Sequence, residues 1–157
     1  MAISFKHVGK TAQVIESEKL YTTPSPIGIK TPLQLGSNND GVFSMHYLIA
    51  DQIDDNFRNL IQTNWGERLG MYGYGANLKE ITTEIVALGE EFDNMAMTRI
   101  RDAVSKWMPY INLLSFESKI DFSANVGSIG HIRMNISYDV PSLNISERAI
   151  EVTLRVM

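Results

Sequence analysis

The sequence predicts an α+β protein: about three helices packed on a small, mainly antiparallel sheet formed by a late β-hairpin and a C-terminal strand. Three observations predict it. Apolar residues recur at steps of three and four through the middle of the chain, as on helices buried along one face. They then alternate strictly with polar residues toward the C-terminus, as on half-buried strands. Between the first two helical stretches lies a loop with four glycines, Gly66, Gly70, Gly73 and Gly75. With 157 residues, one domain with a real core is expected.

Three zones follow in order. Residues 1–21 read as an N-terminal extension. Ile3, Phe5 and His7 alternate like a short strand, and Ala12 to Leu20 reads as either a short helix or a second strand. Residues 22–43 carry Pro24, Pro26, Pro32, Gly28 and Gly36. Proline fixes φ and removes a ladder donor, so this is expected to be an extended arm, either a surface loop or a crossing to another subunit. Its SNNDG at 37–41 is turn chemistry.

Residues 44–157 read as a single α+β domain. Ser44 can cap a helix running to about Gln62. Ile49, Ile53, Phe57, Leu60 and Ile61 form its apolar stripe, and Asp51, Asp54, Asp55 and Arg58 largely decorate the other face. Asn77 can cap a second helix ending at Gly89, with Leu78, Ile81, Ile85 and Leu88 inward. A third runs from about Glu90 to Met108 on Phe92, Ala96, Ile100, Ala103 and Trp107, and Pro109 helps to stop it. Strands are expected at Ile111–Phe122 and Ile129–Val140, joined by a turn over Ala124–Ser128, and at Ala149–Val156. The last alternates Ile150, Val152, Leu154 and Val156 against Glu151, Thr153 and Arg155. It is a sheet edge or a strand given to a neighbour.

Composition narrows the function. A net charge of −4 and 14 scattered basic residues argue against nucleic acid as a partner. No stretch approaches a transmembrane span, no membrane partner is expected, and MAISFKHVGK lacks the apolar core of a signal peptide. The absence of cysteine excludes thiolate metal sites and a Cys nucleophile, and fits folding in a reducing cytoplasm. His7, His46 and His131 lie in different elements with no ligand spacing, so no metal is expected. The glycine-rich loop lacks the Lys-Ser/Thr ending of a phosphate loop, and no nucleophile elbow is present. Glu67, Glu80 and Glu84 could supply the paired carboxylates of a glycosidase, as could those of almost any acidic protein. The expectation is no enzyme, no catalytic residue and no cofactor.

The loop is better explained as architecture. Glycines permit close backbone approach, and Trp65, Leu69, Met71, Tyr72 and Tyr74 give it an apolar load that must pack on its own domain or on a partner. Glu67 and Arg68 would be hydrogen-bonded supports, contact charges or a plain surface ion pair.

These residues carry a resemblance. The helix followed by LIQTNWGER, the tyrosine-glycine segment and NLKEITTE resemble the small baseplate wedge family of contractile phage tails. That family includes a type VI secretion baseplate subunit and often bears a lysozyme-like label. IKTPL at 29–33 resembles its threonine-proline arm, and the likeness covers roughly residues 22–140. The family commonly has a Glu-Pro-Arg triplet after the third helix; here the positions read Met108, Pro109 and Tyr110, so both charges are gone.

The resemblance implies a structural sheath initiator. It would join the inner wedge to the tail sheath and template the first sheath ring by β-strand exchange. Its location would be the virion tail baseplate, after synthesis in the host cytoplasm. Its partners would be baseplate wedge scaffold proteins, the tail sheath protein, and tube or hub proteins. The residues expected to bind partners are Trp65, Gly66, Glu67, Arg68, Tyr72, Pro109, Tyr110, Ile150, Val152 and Leu154. The alternative is a peptidoglycan hydrolase of the baseplate.

Overall fold

The computed structural model describes residues 25–36, 41–84, 89–122 and 130–156, together with Thr11 and Gln13. The readings of Ile3 to His7, of Ala12 to Leu20 apart from Gln13, of residues 37–40, of Ile85 and Leu88, and of the 124–128 turn lie outside them. The chain divides into two compact units after Gln52.

In the first unit, the proline-bearing segment is extended but folds back on itself. Strand β1 (Gly28–Ile29) pairs antiparallel with β2 (Met45–His46), and Leu35 bridges to Phe43. The Lys30 amide donates to the Ser44 carbonyl at 3.0 Å, and the Ser44 amide to that of Gln34 at 2.9 Å. Ser44 therefore belongs to this ribbon and does not cap a helix. Helix α1 starts five residues later, at Ile49, and runs to Gln62.

The second unit holds the core. On α1 the stripe is as expected at Ile53, Phe57, Leu60 and Ile61, while Ile49 is exposed. The acidic face is not as expected. Asp55 is buried and accepts from Arg58 at 2.8 Å, and Asp54 turns toward the sheet. Helix α2 is described over Leu78–Glu84, and α3 spans Gly89–Trp107, so Gly89 is already the first residue of the third helix. Leu78, Ile81, Phe92, Ala96, Ile100, Ala103 and Val104 point into the core.

Strands β3 (Asn112–Phe122), β4 (Gly130–Val140) and β5 (Ile145–Val156) form one antiparallel sheet in the order β3-β4-β5. The last strand begins four residues before the expected Ala149, after a 3-10 turn at Pro141–Leu143 closed by left-handed Asn144. The sheet's inner face is Ile132, Met134, Ile136, Tyr138 and Val140 with Ile150 and Val152; Glu117, Arg133, Asn135, Glu151 and Thr153 face out. One face is apolar and the other wet, as the period-two pattern requires. The class is α+β, with three helices and antiparallel sheets of three and two strands among the described residues.

Candidate functional site

Between α1 and α2 the chain makes a compact loop whose hydrogen bonds nearly all close on itself. The Ala76 amide donates to the Leu60 carbonyl at 3.1 Å and the Asn77 amide to that of Thr63 at 3.3 Å, which returns the loop to the end of α1. The Gly66 amide donates to the Tyr72 carbonyl at 2.8 Å, pinching off residues 66–72. At Gly75, φ is +109°, and a Cβ would run into the Thr63 carbonyl oxygen. Only glycine fits there. Gly66 also has positive φ, but its Cβ position is open, so its requirement is conformational alone.

Asn64 organises the polar part. Its backbone amide donates to Glu67 Oε2 at 2.8 Å and its Nδ2 to Oε1 at 2.9 Å, while its Oδ1 accepts the Lys79 amide in the first turn of α2 at 3.1 Å. The helix is thus capped from fifteen residues upstream. Asn77, expected as the cap, sits at φ +51°, accepts the Trp65 amide at 3.4 Å and donates to Glu80 at 2.6 Å. The two Asn64 hydrogen bonds, the backbone one first, hold the Glu67 carboxyl below its usual pKa. Glu67 and Arg68 do not pair with each other. Arg68 lies over the Tyr74 ring, 4.1 Å from its centroid.

The aromatic groups extend this network to α3. Tyr74 meets Trp107 edge-on at 5.2 Å, and Trp107 Nε1 donates to the Gly73 carbonyl at 3.3 Å. Trp65 Nε1 donates to the Gly75 carbonyl at 3.1 Å, and its ring stacks on the Arg99 guanidinium at 4.6 Å. Arg99 in turn donates to Glu80 at 3.2 Å. Trp65, Gly73, Gly75, Arg99, Asp102, Ala103, Lys106 and Trp107 line a cleft of about 320 Å³. Beyond it, Trp65, Leu69, Met71 and Tyr72 are 52%, 91%, 41% and 66% exposed. The loop's polar skeleton packs inward on its own domain, and its large apolar side chains are left in solvent.

The other expected contact residues fall in two places. Pro109 is exposed and lines a second cleft, of about 500 Å³, with Arg101, Val104, Ser105, Ile111, Asn112 and Leu113. Tyr110 is 40% exposed, and its phenol lies above the usual tyrosine pKa through burial first and Tyr74 second. Met108 is buried core. Ile150 and Val152 are buried and Leu154 half-buried on the sheet's inner face, so their side chains serve this domain's own core. Among the described residues, β5 is paired on one side only, by β4, and β3 is the opposite edge of the sheet.

Sequence reasoning missed a second cluster. Asp54 on α1 accepts from the Tyr138 hydroxyl and takes Arg148 side-on, with Arg148 Nε 3.0 and 3.2 Å from its two oxygens and a further bond from Nη2. Tyr138 is fully buried and packs edge-on against Phe57 at 5.0 Å. Burial, then donation to Asp54, raises the Tyr138 pKa well above its usual range. A signal for Asp54 was present. At about 100° per residue it sits beside Ile61 on the stripe and not across from it.

The sequence matches no protein-family model and no curated protein. Among solved structures, the fold is similar to that of a "putative tail lysozyme" from Geobacter sulfurreducens. The TM-score is 0.53 with 18% identity, covering 70% of this chain and 93% of the other. A component of the anti-feeding prophage baseplate aligns at TM-score 0.47 and 16% identity, over 82% of this chain and 84% of the other. At these identities the likeness is one of fold, and the first of the two carries it: this chain has the fold of the Geobacter protein.

Proposed function

We propose that this protein is a structural component of a contractile tail baseplate, joining the inner wedge to the tail sheath and templating the first sheath ring by β-strand exchange. The observation that carries this reading is the shared fold with a protein whose name places it in a tail, over nearly the whole of that protein. The outer strands β3 and β5, each paired on one side only among the described residues, supply a physical means, since an unpaired edge accepts an added strand through main-chain hydrogen bonds. The exposed loop around Trp65, Arg68 and Tyr72, with Pro109 and Tyr110, would face wedge scaffold, tube or hub proteins. Ile150, Val152 and Leu154 act by holding β5 in place.

The lysozyme part of the Geobacter protein's name favours a second reading, a peptidoglycan hydrolase. Three observations support the structural reading over it. Neither cleft described above is lined by a pair of carboxylates; one has Asp102 and the other none. Glu67 is held below its usual pKa, the opposite of what a general acid needs. Glu80 is engaged by Asn77 and Arg99, and the side chain of Glu84 lies outside those described.

A cross-link tests the proposal. The chain has no cysteine, so Thr153→Cys on exposed β5 gives one labelling site. A photoreactive thiol label there, activated in assembled tails, is expected to join this chain to the sheath protein. Labelled baseplates that bear sheath but yield no sheath adduct would remove the strand-exchange mechanism. Cell-wall clearing by the purified protein, abolished by Glu67→Gln, would establish the hydrolase instead.

A further inference from the structure

The cleft beside the loop carries charged groups that the domain's own contacts use only in part. Its charged lining is Arg99 and Lys106 against Asp102, two cations to one carboxylate. Arg99 is only partly satisfied. One Nη bonds Glu80, and the other, Nη1, is shut off from water with no acceptor. A buried guanidinium nitrogen without a partner costs free energy that an incoming anion would recover. The group stacked on it is the Trp65 indole, half exposed and held by one hydrogen bond to the Gly75 carbonyl. Lys106 is exposed at the rim, lying 5.0 Å from the Trp107 ring centroid.

We infer that this cleft receives the carboxylate of an Asp or Glu side chain from an acidic, apolar segment of another polypeptide, with Arg99 and Lys106 taking the charge. Asp102 in the lining and Glu80 on the far side of Arg99 offset part of the cleft's positive charge, so a monoanion suits it better than a phosphate dianion. The exposed Leu69, Met71 and Tyr72 give flanking apolar residues somewhere to lie. This deepens the proposed function by giving the chemistry of a partner, and it rests on reading the loop as a partner surface.

Both tryptophans of the chain, Trp65 and Trp107, line this cleft, so intrinsic emission reports its occupancy. The full-length protein is titrated with a blocked tetrapeptide of two glutamates and two leucines, with its glutamine counterpart, and with inorganic phosphate. The glutamate peptide is expected to change emission saturably, at a half-point at least tenfold below that of the glutamine peptide, and to weaken as salt rises. Lys106→Gln, at an exposed position, should weaken it at least threefold without changing the melting temperature. Arg99→Gln should abolish the response.

Equal responses to the two peptides, an unchanged response in Lys106→Gln, or saturation by phosphate at lower concentration than by peptide would each overturn the inference. Emission that depends on protein concentration without any probe would assign the cleft to a second copy of this chain and overturn it too. No tail component enters the titration, so its failure is separable from a failure of the sheath cross-link.

Discussion

Helix α1 is held at two places by opposite means. At its C-terminal end, the loop closes on it through hydrogen bonds of modest sequence span, Ala76 to Leu60 on the helix and Asn77 to Thr63 just past it, braced by Asn64 to Glu67 inside the loop. At its middle, Asp54 is bound by Tyr138 and Arg148, which are 84 and 94 residues away. The first network is mostly exposed and backbone-rich, and the second is partly buried and made of side chains. Charge-assisted bonds gain strength as water is excluded, and the penalty for breaking one of them grows equally. The comparison therefore says where the domain should be fragile: at Asp54, where few atoms carry much, more than at Glu67, where many atoms share little.

The largest effect should come from Asp54→Ala. It strands the Tyr138 hydroxyl in the core and leaves Arg148 without its bidentate acceptor, a loss of about 3 kcal/mol. For a chain of this size that is a fall of about 10 °C in melting temperature, measurable by calorimetry. Tyr138→Phe removes one bond and leaves Arg148 on Asp54, so about 1 kcal/mol is expected. A double-mutant cycle of the two should show a coupling of about 1 kcal/mol. Strict additivity would mean that the cluster does not act as a unit.

Gly75→Ala comes next. It combines an unfavourable φ with a collision against the Thr63 carbonyl, at about 2 kcal/mol. Gly66→Ala shares only the positive φ and should cost about 1 kcal/mol. Chemical denaturation of both variants ranks them; the reverse order would place the loop's tight approach elsewhere.

The same contrast explains what was legible. Periodicity reports which side of an element is apolar. It therefore gave the stripe Ile53–Phe57–Leu60–Ile61 and the inward residues of β4 and β5, and the three helices with them. It does not report partners. An acidic residue such as Asp54 reads as solvent-facing by type, although its angle puts it beside Ile61. Ser44 and Asn77 read as caps because such residues commonly precede helices. Yet Ser44 pairs in a ribbon, and the Lys79 amide is capped by Asn64 from beyond the loop. The glycine cluster was legible as a close approach. Its use of Arg99, Tyr74 and Trp107 was not, because those contacts join segments that no local pattern connects.

The smallest effect is at Glu67, and it sharpens the comparison by its pH dependence. The carboxyl has its pKa lowered from an ordinary 4.5, so ionised Glu67 is stabilised in the folded chain. A lowered folded-state value contributes stability above the unfolded pKa and loses it as pH falls through the folded one. Glu67 is almost wholly exposed, so solvent screening keeps the contribution to about 0.5 kcal/mol. Glu67→Gln should therefore be slightly less stable than the wild type above the ordinary carboxyl pKa of 4.5, and the gap should close as pH falls below 4.5 and through the lowered folded-state value. Denaturant midpoints across that range test it. A gap that persists in acid would mean that Asn64 is held by the shape of the side chain, and that charge has no part in fixing this turn.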